Sequence, residues 1–267
     1  MWKKVIVFCF FVYFISLANG NRIEAPGRVY EWKIHELLED LRQRMCYDDP
    51  EGLPQLEPLI LNDHYDFGYQ NGNTKINAFV RNLRIQGLST FVVDYLTFLL
   101  TLKFNVTLVL PQLHITGDYG VDGNLGGFFK IKGNGPFRLD FRGIQLSAGA
   151  NFIYNGGLSL QNLKLDPKLD SLQADLKNLT ANEMLTMIIN GIISNAVPSI
   201  INEHIPPETM ESIVRYIEDS ATNLVKDITV SDLLGIISGG ASVLPPIDPE
   251  RTCKVEQDET GKIILLK

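Results

Sequence analysis

Any chemistry in this chain would have to come from four histidines, three cysteines, scattered carboxylates and two Asn-x-Thr triplets. His35, His64, His114 and His204 stand far apart, and none lies at ligand spacing from another His or a Cys, so no metal site is signalled. His114 sits between Leu113 and Ile115, which makes it an outward polar position on a strand. Asp118 and Asp122 fall in turn-like sequence, where a surface role is expected. There is no G-x-S-x-G elbow for a hydrolase. Gly133-Asn134-Gly135-Pro136 lacks the third glycine and the helix that a dinucleotide loop needs. The expectation is a protein with no cofactor and no metal, and not an enzyme.

The remaining chemistry is secretory. Lys3 and Lys4 precede an apolar run from Val5 to Leu17, and Ala18-Asn19-Gly20 offers a small-residue cleavage site. Residues 1–20 therefore read as a signal peptide, and the run is shorter than the roughly 20 residues of a membrane span. No later segment reads as long and apolar enough to span, so a secreted, extracellular protein without stable membrane insertion is expected. Cys9 leaves with the signal. Cys46 and Cys253 remain, either as one disulfide, the favoured reading in an oxidising compartment, or as two buried thiols. Asn105-Val106-Thr107 and Asn178-Leu179-Thr180 are glycosylation sequons, with Asn105 on the polar side of its strand. The formal charge of −7 becomes −9 once Lys3 and Lys4 are removed (−7 − 2), a poor balance for nucleic acid or anionic lipid.

The elements that would hold these residues read as follows. Arg28 to Met45 is an amphipathic helix, with Tyr30, Ile34, Leu37, Leu38, Leu41 and Met45 on one face. Tyr47 to Pro58 is a linker, and His64 to Asn73 a loop anchored by Tyr65, Phe67 and Tyr69. A strand at Lys75–Gln86 changes parity near Arg81-Asn82, which predicts a bulge. Thr97 to Phe141 is one long ribbon with apolar residues on alternate positions, bent at Pro111 and folded back at Asp122-Gly123 and Asn134-Gly135. The meander continues through Leu146 and Phe152, turns at Asn155-Gly156-Gly157, and runs to Leu176. The glycines at 117, 120, 123 and 126 read as turn residues.

Thr180 to Glu183 has the form of a capping box. The helix it opens is apolar nearly all round, and so is expected to be buried and kinked at Pro198. Pro206-Pro207 starts a second helix with a cleaner stripe from Met210 to Ile228, and Leu233–Ile237 is a short apolar segment. Strands followed by helices indicate an α+β fold. Residues 1–20 are the signal, 21–238 a single domain, and 239–267 an irregular tail.

Pro111 to Ala150, PQLHITGDYGVDGNLGGFFKIKGNGPFRLDFRGIQLSAGA, resembles the strand–Gly-x-Tyr–Gly–strand–Gly-x-Gly core of insect haemolymph juvenile hormone-binding and takeout proteins. Asn82 to Leu88 resembles the segment preceding that core. Takeout-type chains carry a close pair of cysteines near the mature N-terminus, whereas Cys46 stands alone here, and their Asn-and-Trp signature near the long helix is missing. The chain is therefore more similar to the group 7 mite allergen-like branch. The resemblance implies a strongly curved antiparallel sheet wrapped around a long C-terminal helix, a lipid-binding super-roll of the TULIP type.

The function expected is a secreted carrier, as in insect haemolymph. It would hold a hydrophobic small molecule or lipid, such as a fatty acid or terpenoid, in an elongated apolar cavity. Leu108, Leu110, Phe129, Ile131, Phe137, Met184, Met187, Ile188 and Ile192 are the expected lining, although each could equally be solid core. The alternative is an innate-immune-type binder of microbial lipids or of a partner protein, which would need an exposed apolar patch near Leu53 or Phe67.

Overall fold

The computed structural model describes residues 28–48, 55–99, 101–125, 127, 129–155, 157–203, 205–225, 250, 252–253, 255–257 and 263–265. The expected signal peptide and the Leu233–Ile237 segment lie outside them. Helix α1 (Arg28–Arg44) turns Ile34, Leu38, Leu41 and the following Met45 inward. Half-buried ion pairs flank this stripe, Glu39 with Arg42 and Asp40 with Arg44, one turn apart. Cys46, just beyond the helix, is disulfide-bonded to Cys253, with the two Cα atoms 5.3 Å apart.

A seven-stranded antiparallel sheet follows: β1 (Leu59–Leu61), β2 (Tyr65–Asn71), β3 (Thr74–Gln86), β4 (Val92–Leu99), β5 (Lys103–Leu125), β6 (Phe129–Tyr154) and β7 (Leu158–Leu176). The main path runs β1-β3-β5-β6-β7, with β2 paired to β3 and β4 to β5. A short 3-10 turn, Leu88–Thr90, links β3 to β4. Buried Glu57 accepts hydrogen bonds from the Gly87 and Ser89 amides at 2.9–3.0 Å, satisfying donors that this turn leaves open. Helices α2 (Glu183–Glu203) and α3 (Pro207–Val225) then pack on β7.

His64–Asn73 is not a loop: Tyr65–Asn71 forms β2, and Phe67 and Tyr69 are exposed rather than anchoring. The ribbon expected from Thr97 is cut by a turn between Leu99 and Lys103, so β4 and β5 form a hairpin. Asp122-Gly123 and Asn134-Gly135 are not turns. Gly123 pairs with Ile131 and Gly135 with Tyr119, inside two continuous strands of 23 and 26 residues. A glycine here serves close approach instead: a Cβ on Gly133 would meet the Asn178 carbonyl oxygen at 2.3 Å. The 239–267 tail is not wholly irregular, because β8 (Val255–Gln257) and β9 (Ile263–Leu265) pair within it. The capping box is replaced by a single cap, in which Asn182 Oδ1 accepts from the Leu185 amide at 3.1 Å. Two other features agree with the sequence: the β3 register shifts between Arg81 and Arg84, and α3 begins at Pro207.

The bend at Pro111 has an unexpected form. Apolar side chains switch from even to odd positions on β5, yet no residue is inserted: Leu110↔Ile144 is followed by Gln112↔Arg142. The next strand does the same, Ile144↔Leu169 being followed by Arg142↔Ser171. Pro111, Gly143 and Asp170 thus form a crease across three strands. Gly143 adopts φ +62°, a left-handed conformation that turns the chain over locally. The apolar face survives the crease. Leu169 and Ala174 straddle it, and both direct their N–H groups outward to α2. Along a strand, side-chain side and N–H direction alternate together, so both side chains lie on one face.

A candidate apolar ligand site

That continuous face is the candidate site. At one end it is filled by a large cluster: Phe98, Phe104, Val106, Leu108, Ala148, Ala150, Phe152, Leu158, Leu160 and Leu163 pack beneath α1. Phe104 and Phe152 stack with ring centroids 5.6 Å apart. At the other end a small cluster holds Tyr119, Ile131, Phe137 and Leu179, with Ile189 of α2 against it. Tyr119 donates its hydroxyl to the Lys177 carbonyl at 2.8 Å, and burial pushes its pKa up to about 12. The phenol therefore stays a neutral donor across the physiological range.

Between the two clusters the face stays apolar; it is half-buried on β5 and β6, while Leu169, Leu172 and Ala174 beside it on β7 are buried. Leu113, Phe141, Ile144 and Leu146 belong to neither cluster, and Leu110 and Ile115 lie at their margins. From Leu110 to Ile115 this open stretch is about 17 Å long at the rise of a strand. On β5, β6 and β7 every residue sharing this parity from Leu110 to Val121, Gly133 to Leu146 and Leu163 to Leu176 is uncharged.

The two helices are fixed beside this face by hydrogen bonds to the open edge of β7. Asn190 accepts from the Leu176 amide and donates to its carbonyl, both at 3.2 Å. Asn202 does the same at Leu169, at 2.8 and 2.9 Å. Ser194 accepts from Ala174 at 2.9 Å. On α3, Glu218 accepts from Leu163 at 2.7 Å and Thr222 from Leu160 at 3.0 Å. These side chains stand in for a missing neighbouring strand, so the edge is both satisfied and blocked. Their role was not foreseen. The available signal was Thr186, Asn190, Ser194 and Asn202, polar residues at multiples of four in an otherwise apolar helix, each of which would need a partner if buried.

This arrangement overturns the expectation of a helix buried on nearly all sides. With its polar stripe turned to β7, α2 leaves Met184, Met187, Ile188 and Ile192 at 67, 65, 54 and 59% exposed. The same helix is long and apolar enough to cross a membrane by length and composition, contrary to the expectation that no later segment is. Leu108, Ile131 and Phe137 are buried in the end clusters, while Leu110 is half-buried at the edge of the open stretch. Phe129 pairs with Leu125 at the start of β6. Asn105 is exposed on β5, its amide donating to Thr97 Oγ1 at 3.3 Å, and Asn178 is exposed just beyond β7 with φ +57°.

One cluster has the look of catalytic chemistry. His114 Nδ1 lies 2.5 Å from Asp140, and Arg138 Nε donates to both oxygens of that carboxylate at 2.8 and 2.9 Å. Burial raises the Asp140 pKa, but the bonds from Arg138 and His114 outweigh it and hold the carboxyl below its ordinary value. By register these residues share the face opposite the apolar one, as the alternation at His114 predicts. Among the described residues, no group of His, Cys, Asp and Glu is placed to hold a metal ion.

The model of the haemolymph juvenile hormone binding protein (JHBP) family matches residues 23–235. Among solved structures, Takeout 1 of Epiphyas postvittana aligns with a TM-score of 0.55 at 15% identity, over 78% of this chain and 95% of that one. A lipopolysaccharide binding protein aligns with a TM-score of 0.32 at 12% identity, over 71% of this chain and 38% of that one. No curated protein sequence matches the chain. The Takeout likeness establishes the fold: a large curved antiparallel sheet with a long helix.

Proposed function

The chain belongs to the haemolymph juvenile hormone binding protein family, and on that premise we propose that it is a secreted carrier of a hydrophobic small molecule or lipid. The observation that carries this reading is the half-buried apolar stretch around Leu113, Phe141, Ile144 and Leu146, which lies between two packed ends. Filled ends and an open, uncharged middle suit one elongated apolar molecule. Leu110 lines the middle, with Leu108 and Phe137 beneath its two margins. The absence of a cation on this face favours a neutral ligand, such as an ester, alcohol or terpenoid. An ionised fatty acid would have to leave its carboxylate at the rim, because burying it unpaired is costly. Secretion after removal of residues 1–20, glycans on Asn105 and Asn178, a non-enzymatic role and a place near the group 7 allergen-like branch belong to the same proposal.

The test is uptake from a mixture of hexadecanol, methyl palmitate and palmitic acid, read by solvent extraction of the repurified protein and mass spectrometry. The alcohol or ester is expected in near one-to-one amounts at neutral pH, with less of the acid. A protein that emerges empty of all three would overturn the carrier reading.

A further inference from the structure

Helix α2 is amphipathic in the reverse of the usual sense, with a polar stripe bonded to β7 and apolar residues turned to the outside. Met184, Met187, Ile188, Ile192 and Ile200 form the outer row, each 47% exposed or more, with Gly191, Ala196 and the uncharged polar Asn195 and Ser199 between them. The row runs for about 24 Å at the rise of a helix. No charged residue interrupts the helix between Glu183 and Glu203. A row of this length differs from the scattered apolar residues of an ordinary surface. The helix cannot roll to bury it without breaking the Asn190, Ser194 and Asn202 bonds to the strand edge.

Charge decides what the row fits. A second copy of the chain would bring Glu183, Glu203 and the exposed Glu208 and Glu211 of α3 against their own equivalents, on a protein of formal charge −7. Anionic lipid needs a cluster of cations beside the row; α2 has none, and Lys168 of β7, which donates to the Asn202 carbonyl at 3.1 Å, is paired with Asp166 at 3.3 Å. A neutral lipid surface needs only apolar area and tolerates an acidic flank. We infer that α2 is a docking face for a neutral lipid surface, lying in its plane with Met184, Met187, Ile188, Ile192 and Ile200 among the acyl chains. This inference is independent of the ligand site on the sheet.

The test is flotation of the full protein, purified from a eukaryotic host, with phosphatidylcholine vesicles. Three forms are compared: wild type, Ile188→Glu/Ile192→Glu, and Phe67→Glu/Tyr69→Glu as an exposed control elsewhere. All four substituted side chains are more than half exposed, so every form should keep the same thermal midpoint. Wild type and the β2 control are expected to float with the vesicles with little effect of added salt. The α2 variant is expected to lose about tenfold or more of its bound fraction, since two carboxylates then replace apolar contacts. Three results would overturn the inference: wild type that ignores phosphatidylcholine or binds only when phosphatidylserine is added; an α2 variant that binds like wild type; or a wild-type dimer that the α2 variant breaks, which would assign the face to a second copy.

Discussion

Helices α1 and α2 are held to the sheet in opposite ways. α1 buries its apolar stripe, with Leu38 and Leu41 each 2% exposed and Met45 fully covered. α2 gives its polar stripe to the edge of β7 and leaves its apolar row outside. The difference shows that the hydrophobic stripe is not always the one that docks. An edge strand has backbone groups to satisfy, and leaving them unpaired in a half-buried site costs about 1–3 kcal/mol each. Several such groups in a row can dictate which side of a helix turns inward.

Substitutions at matched positions on the two helices sharpen this contrast. Leu41→Ala should destabilise by about 2–5 kcal/mol in chemical denaturation, because it opens a cavity under α1. Met187→Ala on α2 should change stability by no more than about 0.5 kcal/mol; a loss comparable to that of Leu41→Ala would mean the outer row is packed after all. Asn202→Leu is nearly isosteric and more apolar, yet it should cost about 1–3 kcal/mol by stranding both backbone groups of buried Leu169. Neutral or stabilising behaviour of that variant would refute the edge-pairing account. Gly143→Ala tests the crease: φ of +62° and an Asp170 oxygen 1.9 Å from the new Cβ should together cost about 1–2 kcal/mol.

The smallest effect is electrostatic. The depressed Asp140 pKa means its contribution is present at neutral pH and lost as pH falls below about 4, through the folded-state value. Asp140→Asn should flatten that acid limb of the stability profile and leave the limb above neutral pH unchanged. An unaltered acid limb would show that the pairing with Arg138 and His114 contributes little.

Sequence and structure part company where backbone needs compete with side-chain patterning. α1 was legible because its burial follows its own periodicity. The strand alternation at Phe104, Val106, Leu108 and Leu110 was legible for the same reason. The pairing of Cys46 with Cys253 was legible from the cysteine count once Cys9 is assigned to the signal. The hairpins expected at Gly123 and Gly135 were misplaced, because glycine serves close approach as well as turning. Pro111 marked the bend, but its partners Gly143 and Asp170 are set by register, which one strand cannot reveal. The inward side of α2 depends on the edge of β7, and an apolar count along the helix carries no information about that edge. Of the expected lining, Leu110 lies at the open stretch because it continues a strand pattern. Met184, Met187, Ile188 and Ile192 face outward because the polar stripe of α2 docks on β7, which an apolar count does not register.

The central claim is that the sheet face around Leu113 takes up a neutral apolar molecule, while the outer row of α2 does not. The most direct measurement is solution binding of a neutral fluorescent lipid probe, displaced by hexadecanol, to wild type, Leu113→Glu and Ile188→Glu/Ile192→Glu, each first checked for folding by circular dichroism. The account predicts saturable binding that falls by about tenfold or more in folded Leu113→Glu, where a carboxylate enters the apolar face, and stays unchanged in the α2 variant. Binding that survives in Leu113→Glu, or disappears in the α2 variant, would contradict it.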